Sequence, residues 1–184
     1  MRYFLSLGSN LGDKRENLLR AMDALEKEAR VKVVNTSSIY STKPVGDVAQ
    51  PWFCNQVIEV ETALSPGDLL VLVKKLEREM GRRPALQNGP RTIDIDILLA
   101  GNRIIATSRL VIPHPRMAER NFVLIPLKEI APQAVHPVLG VDMKELLSRS
   151  GDRSIVRKIR PSRPRGGPGK TNGNQAESLR GESS

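Results

Sequence analysis

The chain has 184 residues, 39% of them hydrophobic and 27% charged, which suits one globular domain with its own core and excludes a large multidomain machine. No apolar run approaches about 18 residues, and the first one is broken by Gly8, Ser9 and Asn10, so neither a membrane span nor a signal peptide is expected. One cysteine, Cys54, with no zinc-spaced Cys/His cluster, fits a reducing cytoplasm. The formal charge of +9 invites a nucleic-acid reading, but residues 151–184 carry eight Lys/Arg against three Asp/Glu, so more than half of the excess sits at the C-terminal end.

Tyr3, Leu5 and Leu7 alternate with Phe4 and Ser6 and predict a strand that ends in a turn at Gly8-Ser9-Asn10-Leu11-Gly12. Asp13 and Glu16 open a helix in capping-box spacing, with Leu18, Met22, Leu25 and Ala29 on its apolar face. Val31 to Tyr40 reads as a second strand. Asn55 to Thr62 reads as a third, with Ile58 and Val60 inward and Glu59 and Glu61 outward. Ser65, Pro66 and Asp68 start a second helix lined by Leu69, Val73, Leu76 and Met80 and stopped by Gly81. Arg91 to Leu99 is the fourth strand, and short helices are expected in Asn121 to Ile130 and Gly140 to Ser150.

This order, β-α-β-β-α-β, predicts an α+β ferredoxin-like sandwich with a mainly antiparallel sheet and extra short helices near the C-terminus. The domain is expected to span 1–160. Residues 161–184, rich in Gly, Pro and Ser, are expected to form a disordered basic tail. Gly166 to Thr171 imitates the end of a phosphate-binding loop, but Pro164 stands where its first glycine belongs and no strand precedes it. Two long connections, Ser41 to Cys54 and Arg82 to Pro90, are candidate functional lids.

The sharpest local feature is Gly89-Pro90-Arg91-Thr92-Ile93-Asp94-Ile95-Asp96-Ile97. On a strand the isoleucines share one face and Asp94 and Asp96 the other, about 6.7 Å apart along the chain. Two carboxylates so placed repel unless a cation lies between them, and hard oxygen donors suit Mg²⁺ when substrate phosphates complete its shell. Arg82, Arg83, Arg91, Arg109, Arg116 and Arg120 are the candidate countercharges for polyphosphate, and His114 lies in a stiff turn between Pro113 and Pro115. His136 has no evident partner and is expected at the surface.

Gly8 to Leu11, Thr42 to Gly46, Gln50 to Asn55, Gly81-Arg82, Gly89 to Ile97, Arg109 to His114 and Arg120 to Phe122 together resemble the 6-hydroxymethyl-7,8-dihydropterin pyrophosphokinases of folate biosynthesis, in the same order over about residues 1–150. The resemblance implies transfer of pyrophosphate from ATP to a pterin hydroxymethyl group, with AMP released and two Mg²⁺ ions held by Asp94 and Asp96. It implies catalytic roles for Arg82, Arg91, Asp94 and Asp96, and a pterin clasped by Phe53 and Phe122 and read by Asn55 and the chain around Thr42, Pro44 and Val45. The ATP side would use Lys74, Glu77, Arg82, Arg91, Ile97, Arg109, His114, Pro115 and Arg120. Three positions depart from the family pattern. Phe53 replaces a tyrosine of some members, Arg83 or Pro84 falls where a second lid arginine is found, and Asn88 stands where some have tryptophan.

A monomer is expected, with ATP and the pterin as ligands, other enzymes of the pathway as candidate partners, and neither membrane nor nucleic acid. The rival is an RNA-binding module, since a four-stranded ferredoxin-like sheet with a basic tail is also an RNA-recognition architecture. It lacks the paired sheet aromatics, and Asp94 and Asp96 without a metal would repel phosphate.

Overall fold

The computed structural model describes residues 1–44, 50–82 and 89–160. Expectations on Val45, on Arg83, Pro84 and Asn88, and on the tail fall outside the described residues. The elements are β1 (Arg2–Ser9), α1 (Lys14–Lys27), β2 (Val31–Thr36), β3 (Tyr40–Thr42), β4 (Phe53–Thr62), α2 (Pro66–Glu79), β5 (Asp94–Ala100), β6 (Ile105–Ala106), β7 (Val111–Ile112), α3 (Asn121–Ile130), α4 (Met143–Arg149) and β8 (Val156–Lys158). A 3-10 turn, Met117–Glu119, precedes α3.

Among the described residues, six strands form an antiparallel sheet in the order β5-β1-β4-β3-β8, with β2 also on β4. With β2 and β3 counted as one interrupted strand, the central four follow the expected ferredoxin-like order. The interruption is chemical. Ser37 donates its N–H to the Val57 carbonyl, its Oγ accepts the Val57 N–H, and its own carbonyl takes the Gln56 side chain. A side chain thus replaces part of the ladder, and the predicted strand Val31 to Tyr40 divides there.

The helix starts follow the sequence. Asp13 accepts the Glu16 N–H at 3.1 Å, Ser65 accepts that of Asp68 at 3.2 Å, and Gly81 takes the positive φ of 86° that ends the second helix. Leu18, Ala21 and Leu25 of α1 and Leu69, Val73 and Leu76 of α2 pack on Tyr3, Leu5, Ile58, Val60, Ile93, Ile95 and Ile97. Ala29 lies past the end of α1, so Ala21 takes its place on the buried face.

The opposite sheet face carries a second core, built on Val57, Leu98 and Leu99 under Val123, Leu124 and Leu127 of α3 and Met143 and Leu146 of α4. This layer corrects two expectations. Glu59 is buried rather than outward-facing and pairs with Arg2 at 3.2 Å, and His136 is buried, its Nδ1 accepting the Leu139 N–H. Further corrections concern boundaries: β5 begins at Asp94 rather than Arg91, and the last helix is confined to Met143–Arg149, capped by Asp142. The β6–β7 hairpin and β8 were not expected, being two or three residues long.

Candidate active site

The second face of the sheet is only partly covered by α3 and α4. The uncovered part is a cavity of about 380 Å³. Its floor follows from strand register, which sets Asn55 beside Gly8 and Gly8 beside Asp94, with Ser6 beside Asp96 one step along. Strands are about 4.8 Å apart, so Asn55 and Asp94 stand roughly 10 Å apart across a residue with no side chain. A Cβ at Gly8 would lie 2.9 Å from Asn55 Oδ1, which explains the glycine. Asn55 Nδ2 donates to Thr42 Oγ1 at 2.7 Å, and both residues are buried.

Thr42, Pro44, Phe53, Asn55 and Phe122 line the cavity together with Arg91, Asp94, Asp96 and Arg120. Arg120 lies over the Phe122 ring at 5.5 Å from the centroid. Asp94 is ion-paired with Arg82 at 2.6 Å and Arg91 at 2.5 Å. Burial opposes its ionisation, but Arg91, Arg82 and Lys74 outweigh that and hold the carboxyl below its ordinary range. For Asp96, burial and the neighbouring Asp94 raise the pKa against the pull of His114 and Lys74. Two carboxylates on one face therefore sit in contrasting electrostatic settings.

Behind Asp94, Glu77 is 2% exposed. It accepts the Ile95 N–H at 2.7 Å, pairs with Lys74 at 2.9 Å and also pairs with Arg82. Burial raises its pKa, with Lys74 and Arg82 pulling the other way. Glu77 thus ties α2 to the edge of β5 and holds two cations toward Asp94. Burial lowers the pKa of His114, and its Nδ1 accepts the Arg116 N–H, which leaves Nε2 as the N–H of the neutral ring. Burial also lowers the pKa of Arg120, reinforced by nearby Arg116.

The remaining expected residues lie apart. The Ile97 side chain is in the core beneath the aspartates. Its backbone shares the outward edge of β5 with that of Ile95, whose carbonyl takes Lys74. Pro115 and Arg109 are exposed, Arg109 in the turn between β6 and β7. Lys43 and Gln50, which stand in motifs of the resemblance but were given no role, also line the cavity, as do Glu119 and Asp152, which the sequence did not single out. Asn10, 1% exposed, accepts the Arg91 N–H at 2.8 Å and donates to Gln50 at 3.0 Å, joining three loops. It stands inside the Gly8 to Leu11 motif, yet only tertiary contact gives it this role.

Among the described residues no group of three or more His, Cys, Asp or Glu could hold a metal. No described helix is long and apolar enough to cross a membrane.

Residues 4–132 match the family model described as 7,8-dihydro-6-hydroxymethylpterin-pyrophosphokinase. The chain is 47% identical over 154 residues to a Bacillus subtilis protein named 2-amino-4-hydroxy-6-hydroxymethyldihydropteridine pyrophosphokinase, covering 84% of this chain and 87% of the relative. It is 41% identical over 152 residues to the Pneumocystis carinii folic acid synthesis protein fol1, covering 83% of this chain but only 20% of that longer protein. A solved Plasmodium falciparum HPPK-DHPS structure superposes with a TM-score of 0.66 at 19% identity, over 80% of this chain and 42% of the other, and supports the fold.

Proposed function

Because this chain belongs to the 7,8-dihydro-6-hydroxymethylpterin pyrophosphokinase family, a group of diphosphotransferases in folate biosynthesis, we propose that its cavity is where pyrophosphate passes from ATP to the pterin hydroxymethyl group. The observation that supports this reading is that Phe53, Phe122 and Asn55 line the same cavity as Asp94, Asp96, Arg91 and Arg120. Phe53 and Phe122 would hold a flat heterocycle by stacking, and the Asn55 amide, fixed by Thr42, would read its ring heteroatoms beside Pro44 and Val45.

On the other side Arg82 and Arg91 would exchange Asp94 for phosphate oxygens, with Lys74, Arg109, His114, Pro115, Arg120 and the Ile97 backbone completing the nucleotide site. Glu77 keeps Lys74 and Arg82 aimed there. The donor set fits magnesium, since two hard carboxylates with no third protein ligand among the described residues leave positions for phosphate oxygens. Asp94 and Asp96 would hold two ions, which when bound neutralise the charge of the transferring group. The arginines share that task, and the pterin hydroxyl, held in line with the β-phosphorus, would attack in preference to water, breaking that phosphorus's bond to the α-bridging oxygen so that AMP leaves.

Residues 1–160 form the catalytic unit in this reading, acting as a cytoplasmic monomer on ATP and the pterin, with other enzymes of the pathway as candidate partners. The test is to titrate the purified enzyme separately with 6-hydroxymethyl-7,8-dihydropterin and with ATP and Mg²⁺. Phe122→Ala should weaken pterin binding by roughly 1–3 kcal/mol, with little effect on ATP binding. Equal loss of both would contradict the division of the cavity.

A further inference from the structure

The first turn of α3 is held by a residue outside it. Its own N-cap position is Arg120, whose side chain makes no capping hydrogen bond. The missing acceptor comes from Asp152, beyond α4, whose Oδ2 accepts the Asn121 N–H at 2.7 Å while its carbonyl accepts Asn121 Nδ2 at 2.8 Å. Phe122 is the next residue in the chain, and Asp152 and Phe122 both line the cavity.

Asp152 is itself fixed. Its Oδ1 accepts the Ser154 N–H at 2.7 Å and its Oδ2 the Ser154 hydroxyl at 2.8 Å, and its N–H donates to Ser150 Oγ at 3.2 Å. Beyond it Ile155 accepts the Lys43 N–H, and β8 pairs with β3 in the register Tyr40 to Lys158, Ser41 to Arg157 and Thr42 to Val156. The segment after α4 is therefore anchored to the strand that carries Thr42 and, through one carboxylate, to the helix turn that carries Phe122. Burial opposes ionisation of Asp152, but the N–H groups of Asn121 and Ser154 overcome it and hold the carboxyl charged, as suits a helix N-terminus.

We propose that Asp152 is a positioning residue for the pterin subsite, fixing the Phe122 ring through the first turn of α3. This rests on the pterin reading of the cavity. Its reach is mainly toward that ligand: among the described residues Asp94, Arg82 and Glu77 share no hydrogen bond or ion pair with Asp152, and Arg120, next to Asn121 and over the Phe122 ring, is the nucleotide-side residue that adjoins it.

The test compares full-length wild type, Asp152→Ala, Asp152→Asn and Asp142→Ala. Asp142 caps α4 through Glu145, away from the cavity lining, and so supplies a cap loss of similar kind. Each protein is titrated with 6-hydroxymethyl-7,8-dihydropterin, and separately with ATP and Mg²⁺, and its steady-state rate is measured. Asp152→Ala should raise the pterin Kd and KM about tenfold, with ATP affinity and kcat at saturating pterin within about twofold of wild type. Asp152→Asn, which keeps an oxygen for the Asn121 N–H, should restore most of the affinity. Asp142→Ala should lower thermal stability and leave the pterin Kd unchanged. If Asp152→Ala does not fold, Asn121→Ala, which gives up the Nδ2 bond to the Asp152 carbonyl, takes its place and should show a smaller loss confined to the pterin.

An unchanged pterin Kd in Asp152→Ala, or in Asn121→Ala where Asp152→Ala does not fold, equal loss of both ligands, or the same pterin loss in Asp142→Ala would overturn it. Failure of the wild type itself to bind the pterin would overturn the functional reading, and the proposal with it.

Discussion

Gly8, between Asn55 and Asp94, keeps open the floor on which both substrates would meet. Gly8→Ala should place a methyl group against Asn55 Oδ1, at 2.9 Å, and displace the amide that Thr42 holds. Pterin affinity is expected to fall at least tenfold in a titration while the thermal midpoint drops only modestly; unchanged affinity would show that the amide does not read the ligand. The aspartates make the complementary case. Asp96→Ala or Asp94→Ala should cost about 10³-fold or more in kcat, equivalent to roughly 4 kcal/mol, with the fold preserved by circular dichroism. A folded variant with near-normal Mg²⁺-dependent turnover would reduce the pair to a charged strand face. This pair was legible because alternation along a strand is a local property of the chain. The partners of Asp94 were not, since Arg82 comes from the end of α2 and only the folded sheet edge brings it there.

At the scale of elements, the predicted strands failed where a side chain took over the backbone's hydrogen bonds. Ser37 divides the second strand, and Asn10 claims both the N–H and the carbonyl of Arg91, delaying β5 to Asp94. Hydropathy carries no signal of either event. Glu129 of α3 makes a similar non-local tie, accepting from Ser38, Tyr40 and Lys158 and so joining α3 to β3 and β8. Burial opposes its charge, but these donors, Lys158 foremost, bring its pKa down to about 2.

The folded pKa lies below the ordinary value of 4.5, so the unfolded chain takes up the proton first. The stabilisation from Glu129 is therefore present above about pH 4.5 and is lost as pH falls toward 2. After discounting for partial exposure it amounts to roughly 1–2 kcal/mol. Denaturant titrations of wild type and Glu129→Gln should differ by that amount at pH 7 and converge near pH 2. A constant difference across that range would mean that the carboxylate contributes nothing through its charge.

For the molecule as a whole, the order of strands and the two helices on the first sheet face followed from periodicity and capping. The layer on the second face, with buried Glu59 and His136, did not. Outward glutamates on β4 read as solvent-facing because nothing local reports that α3 and α4 return to cover them. Residues 161–184 hold one large apolar residue, Leu179, among Gly, Pro, Ser and charged groups, too little to build a core. Deleting 161–184 should therefore leave the unfolding midpoint and turnover unchanged, while lowering the charge available for non-specific RNA binding at low salt. Loss of turnover on truncation would extend the catalytic unit beyond residue 160.

The central claim, that this cavity moves a pyrophosphate rather than a single phosphoryl group, is tested by separating the nucleotide products of one reaction containing ATP, Mg²⁺ and 6-hydroxymethyl-7,8-dihydropterin. Attack at the β-phosphorus predicts AMP and the pterin diphosphate in equal amounts, abolished together in Asp96→Ala; ADP paired with a pterin monophosphate would contradict it.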